Sequence, residues 1–185
     1  AASGALGSTA AIFVNGGSLT AVNYNSAAGL TVGTSASASI SGAGLTVGAL
    51  TNNNTTANSL YFSGTTGAIS AASLSGAGNT RFGSDATIRT GDVSSGTLNV
   101  AGALSLSAGS ITGGTVNTNS LSATNISGGN VTTAANATLS GNISGAVTVN
   151  VGGLLSVASI ATGTVAAGAL SATSIAGGYT TVTGT

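Results

Sequence analysis

The sequence predicts an all-β fold: a parallel β-solenoid (β-helix) of short strands cornered at Gly and Asn, with roughly 9–12 coils stacked along one axis. Three observations predict it. The chain repeats itself, its aliphatic residues recur at a spacing foreign to both helix and plain strand, and its composition supplies a thin aliphatic core with little chemistry around it.

The repeat comes first. Ala-Gly-Leu-Thr-Val-Gly stands at Ala28–Gly33 and again at Ala43–Gly48, fifteen residues apart. Ser110–Thr133 aligns with Ser159–Val182 at an offset of 49, with 13 of 24 positions identical and Ile, Val, Leu and Ile in register. We read 110–133 and 159–182 as duplicated blocks of one repetitive domain, 1–185, with 1–28 as a candidate N-terminal cap or assembly segment.

Inside the blocks runs a finer period. Leu106, Ile111, Val116, Leu121, Ile126 and Val131 are spaced by five, and so are Ile160, Val165, Leu170 and Ile175. A helix repeats its apolar face at three and four, and a strand at two. An odd spacing keeps residues inward only if the chain bends between them, and Gly and Asn tolerate such bends cheaply. These ten aliphatics are the expected core ladder. Three five-residue faces give a 15-residue coil, matching the hexapeptide echo, and four give 20. Plain alternation at Thr97–Val100 and Ala146–Val151 predicts longer faces with Leu98, Val100, Val147 and Val149 inward, and Thr and Asn outward or laddered. Gly and β-branched residues dominate, and no capped amphipathic stretch occurs, so helix is not expected.

Composition then narrows function. The chain holds two basic and two acidic side chains and no Lys, Glu, His, Cys, Pro, Met or Trp. A hydrophobic fraction of 42% and a mean hydropathy of +0.50 argue against disorder. With a net charge of zero, neither steering towards phosphate nor a basic stripe for nucleic acid is expected. Apolar runs fall far short of the ~20 residues a membrane helix needs, so no membrane insertion is expected. No signal peptide is visible at Ala1-Ala2-Ser3-Gly4. Neither an enzyme nor a cofactor is expected.

All four charges fall in one window, Arg81, Asp85, Arg89 and Asp92. Its bland reading is a solvated corner, with Arg81–Asp85 and Arg89–Asp92 as surface pairs of little energetic weight. Opposed charges also set register in assemblies, so the four residues are a candidate subunit contact. Asp85 and Asp92 are weak metal candidates, because calcium wants six or more oxygens. The Asn-x-Ser/Thr triplets at Asn53, Asn54, Asn125, Asn130, Asn136 and Asn142 follow from composition. Phe13, Tyr24, Tyr61, Phe62, Phe82 and Tyr179 are expected at rod ends or under loops. The Gly-Gly steps at 113–114, 128–129, 152–153 and 177–178 are expected corners.

The strings GTLNVAGALSLSAGSITGG (Gly96–Gly114) and ATGTVAAGALSATSIAGG (Ala161–Gly178) resemble bacterial surface β-helices, namely autotransporter passenger domains and filamentous-haemagglutinin-type adhesins. The likeness is one of texture from Gly29 onward; near absence of charge is the departure. It implies a secreted, right-handed parallel β-helix on the cell surface or in matrix. Solenoid ends are normally blunted by Lys, Pro or a cap, and AASGALGSTA and YTTVTGT show none; either the chain is a segment of a longer rod or its ends stack on other copies, end to end or by strand exchange, and we favour the second. The expected function is therefore a non-catalytic extracellular structural protein, a self-assembling subunit of a surface or matrix fibre whose partners are copies of itself. The alternative is an adhesin with a flat Thr/Asn/Ser face against glycan or a cell surface. A minor one is ice binding, for which Thr181-Val182-Thr183 is an isolated Thr-x-Thr.

Overall fold

Val116 lies beside Leu98 in one neighbouring coil and Val131 in the other, and Val131 in turn beside Val149, then Val165. Like thus stacks on like along an axis. The computed structural model describes residues 5–7, 10–25, 27–42, 45–63 and 69–184. Within them 18 strands pair, all in parallel, into a β-solenoid of about nine turns, and no helix occurs among the described residues. At the usual strand spacing nine turns make a rod of about 45 Å.

The coil has three faces. The first carries Ala36–Ser41, Leu60–Phe62, Asn79–Phe82, the starts of Thr97–Leu106 and Thr115–Ala123, Gly129–Thr133 and Tyr179–Val182. The second stacks Ile69, Ala86, Leu104, Leu121, Ala137, Leu155 and Leu170. The third is narrow: Val93, Ile111, Ile126, Ile143, Ile160 and Ile175 follow one another as single bridges or short pairings. The five-residue ladder is therefore one aliphatic per face. Ile111 and Ile126 are one 15-residue turn apart. The offset of 49 is three turns, since Ile111 reaches Ile160 through Ile126 and Ile143.

Coil length is not constant. Leu30–Val32 pairs with Leu50–Asn52, twenty residues on, and Thr46 with Ser70, twenty-four on. The hexapeptide echo is thus not a coil repeat: Leu30 neighbours Leu50 rather than Leu45 (Ala43 and Gly44 lie outside the described residues). Insertions at the corners, such as Asn53–Ser59, absorb the extra chain without disturbing the faces. At this corner Asn54 and Ser59, with Asn52 at the end of the preceding strand, are buried yet satisfied. Asn52 Nδ2 donates to the Asn79 carbonyl at 2.9 Å, Asn54 Nδ2 to that of Ala36 at 2.6 Å, and Ser59 Oγ to that of Asn54.

The core is continuous and aliphatic, as Leu98, Val100, Val147 and Val149 were expected to make it, and eight of the ten ladder residues are buried in it. Leu170 is only partly buried and Ile175 is 53% exposed, because no further described coil covers them. The aromatics depart further from expectation. Tyr24 is fully buried with its hydroxyl donating to the Gly29 carbonyl, and Phe62 and Phe82 stack inside with centroids 5.1 Å apart. Only Phe13 and Tyr179 stand out in solvent.

One corner fixes the phase of the coils. Gly96, Gly114, Gly129 and Gly178 have φ between 74° and 84°, and the carbonyls of Gly96 and Gly114 accept from Thr115 and Asn130 N–H at 2.9 Å. A Cβ at Gly114 or Gly129 would overlap the carbonyl of the coil beside it, so both conformation and close approach demand Gly. Gly152-Gly153, as expected, is also a corner: it sits at the register shift inside the strand Val147–Ile160, where the chain passes from the first face to the second.

Two consequences are measurable. Leu121→Asp, placing an unpaired carboxylate in a dry column, should cost more than about 4 kcal/mol and open the adjoining coils to protease before the rest; uniform protection would contradict nearest-neighbour stacking. Thr180 continues the Val131–Val149–Val165 column, but its Oγ1 is buried without a partner. Thr180→Val should stabilise by about 1 kcal/mol, a Tm rise of about 2–4 °C; a lower Tm would mean the hydroxyl is satisfied.

Candidate functional site: the charged corner and the amide groove

The four charged residues do not pair with one another; no ion pair forms among the described residues. Each reaches along the rod axis instead. Asp85 Oδ1 accepts the Ala103 N–H at 2.8 Å and Asp92 Oδ1 that of Ser110 at 2.7 Å, both one coil on. Arg89 donates through Nη1 to Ser70 Oγ at 2.7 Å and through Nη2 to the Val47 carbonyl at 2.9 Å, spanning two coils. The Arg81 guanidinium lies over the Tyr61 ring, 5.2 Å from its centroid, one rung away. A cation held this way gains from the electron-rich ring face.

The aspartates do what asparagines do elsewhere. Asn136 Oδ1 accepts the Leu154 N–H at 2.9 Å, and Asn125 Oδ1 that of Asn142 at 2.7 Å. Asp85 and Asn136 both precede an inward Ala of the second face; Asp92 and Asn125 both precede an inward residue of the third. Each takes an N–H that the bend has removed from the strand ladder. Gly102, Gly141 and Gly153 stand just before three of those donors, and a Cβ there would overlap the accepting Asx oxygen. The signal in sequence is an Asx followed by Gly sixteen or seventeen residues later. Asp85 and Asp92 occupy different corners, and the described residues contain no cluster of three or more His, Cys, Asp or Glu.

The outer surface of the first face carries the second feature. Its strands expose two columns. One runs Thr97, Thr115, Asn130, Thr148, Thr164, and the other Asn99, Asn117, Thr132, Asn150, Ala166. The second is headed by Tyr61 and Arg81 and closed by Thr181. Asn117 Nδ2 donates to Asn99 Oδ1 at 2.9 Å, a ladder across one rung. Beside this column the chain turns to the second face through register shifts after Val100 and Val151. Small residues line that bend, and two cavities open along it. One of about 510 Å³ runs over Arg81, Asn99 and Asn117, and one of about 290 Å³ over Thr132, Asn150 and Gly168; they adjoin at Thr132–Ala134. The repeated Thr97-x-Asn99, Thr115-x-Asn117 and Thr148-x-Asn150 could have disclosed this face in sequence. Only the pairing register puts them in line.

The remaining candidates scatter. Thr181 is outward on its strand while Thr183 lies beyond it, against Ala167. Of the glycosylation-type triplets, Asn54 is buried, and Asn125 and Asn136 are spent on corner N–H groups.

Comparison of the chain with known family profiles, with curated proteins and with solved structures yields no match.

The corner reading is tested by a pair of substitutions. Asp85→Ala leaves the Ala103 N–H without its acceptor and should cost about 1–2 kcal/mol, whereas Asp85→Asn keeps the acceptor and should stay within about 0.5 kcal/mol. Equal losses in chemical denaturation would make the charge itself the stabilising element.

Proposed function

We propose that the protein is a non-catalytic extracellular structural rod, a β-solenoid subunit of a surface or matrix fibre that lengthens by stacking coil on coil. The observation that carries the reading is the parallel stacking itself, in which each coil offers the next the same backbone ladder with like residues in register. Tyr179–Val182 pairs with Thr164–Ile175 on one side only among the described residues. Ile175 and Val182, which continue inward columns, are 53% and 47% exposed among the described residues. An unpaired parallel edge with apolar residues in register is a template for another strand. The following coil of a longer chain and the first coil of a second copy would satisfy it by the same hydrogen bonds. The Gly/Ser/Thr/Asn texture shared with bacterial surface β-helices supports placing such a rod at a cell surface or in matrix.

A second reading, an adhesin-type rod, is favoured by the polar columns of the first face, which form a long repetitive surface.

Negative-stain electron microscopy across a concentration series separates the two. Filaments with a regular axial repeat are expected for the fibre subunit, and Val182→Lys should shorten them while leaving the melting of the dilute rod unchanged. Monodisperse short rods at every concentration would reject assembly and leave the adhesive face.

A further inference from the structure

We propose that the groove beside the first face binds a neutral linear polysaccharide, laid parallel to the rod axis. The inference deepens the adhesive reading and rests on it; it does not require that rods polymerise. Four features of the groove converge on this ligand.

The first is chemistry at a fixed repeat. Asn99, Asn117, Thr132 and Asn150 follow one another rung by rung. An amide presents donor and acceptor side by side, which fits adjacent hydroxyls of a sugar. The rungs advance by about 4.8 Å each, so hydroxyl-binding groups recur at a fixed interval along the axis on which an extended glycan would lie.

The second is shape. The two cavities lie on successive rungs of the same face, and the exposed Ala101, Ala134 and Gly152 line them with small, apolar groups. Such a lining suits the C–H face of a sugar ring while the polar column takes its hydroxyls. The third is charge. Arg81 is the one charged group lining either cavity. A polymer with an acid on every unit would meet a single cation in the whole row, whereas a neutral polymer loses nothing.

The fourth is preorganisation. The Asn117-to-Asn99 hydrogen bond and the Arg81–Tyr61 contact hold the lining side chains in place before a ligand arrives, which reduces the entropy lost on binding. A peptide added as a strand is the poorer occupant. The strands behind the groove from Thr97 to Ala167 are already paired on both sides, so they offer no backbone edge.

Affinity electrophoresis of the whole chain through gels containing hydroxyethyl cellulose, glucomannan or xylan tests this, with polygalacturonate as the acidic comparison. Retardation by at least one neutral polymer is expected, weakened about tenfold by Asn99→Ala with Asn117→Ala. Ala134→Trp, which fills the junction of the cavities, should abolish it, while Ser122→Ala on the second face should leave it unchanged. Circular dichroism melting confirms that each variant folds. Retardation by none of the three neutral polymers overturns the proposal, as does retardation by polygalacturonate alone, or binding untouched by a folded Ala134→Trp. Binding to intact cells that is lost in Ala134→Trp, without retardation by any of the neutral polymers, would sink the glycan and keep the adhesive reading.

Discussion

Everything in this molecule depends on the parallel stacking of one coil on the next. Each coil satisfies its backbone through its neighbours, so the inter-coil ladder sets both the axis and the register. Once Val116 faces Val131, the rest of the rung has no choice of neighbour, and a slip by one residue would turn every inward aliphatic out. The interaction is local between coils and repeats along the rod, which is why coils of different length coexist. A face must match its neighbour, whereas a corner only has to get the chain to the next face.

Corners are where the ladder fails, and the few polar groups with structural duties gather there. At a bend an N–H loses its strand partner, and an Asx side chain from the coil before takes it. Asp85 and Asn136 perform this same task, so the charges of the window need no charged counterpart. Gly before three of the four donors leaves room for the oxygen. The long Asn53–Ser59 corner uses the same economy inside the rod, where amides and a hydroxyl replace missing backbone partners. Buried polarity of this kind is tolerable because each group is paired.

The same stacking that builds a core also builds a surface. An outward residue repeated on one face becomes a column, and a bend lined with small residues beside it becomes a trough. The groove over Asn99, Asn117 and Asn150 and the core columns beneath it are thus two products of one rule.

The sequence by itself determined the class of fold, most of the inward aliphatics and the lack of helix among the described residues. An odd five-residue spacing with Gly between aliphatics has one economical solution, a bent coil with one aliphatic per face. It also located the duplication, whose offset turns out to be three turns. What it misjudged were matters of register: the hexapeptide echo, which places Leu30 beside Leu50, the interior position of Phe62, Phe82 and Tyr24, and the pairing of Arg81 with Asp85 and of Arg89 with Asp92, residues that reach along the axis instead. Coil length varies through the corners, and corner length leaves little periodic trace in so biased a composition. Only tertiary pairing decides which residues of coils 15 to 24 residues apart become neighbours. That pairing aligned the amides into a groove and set each Asx against its N–H.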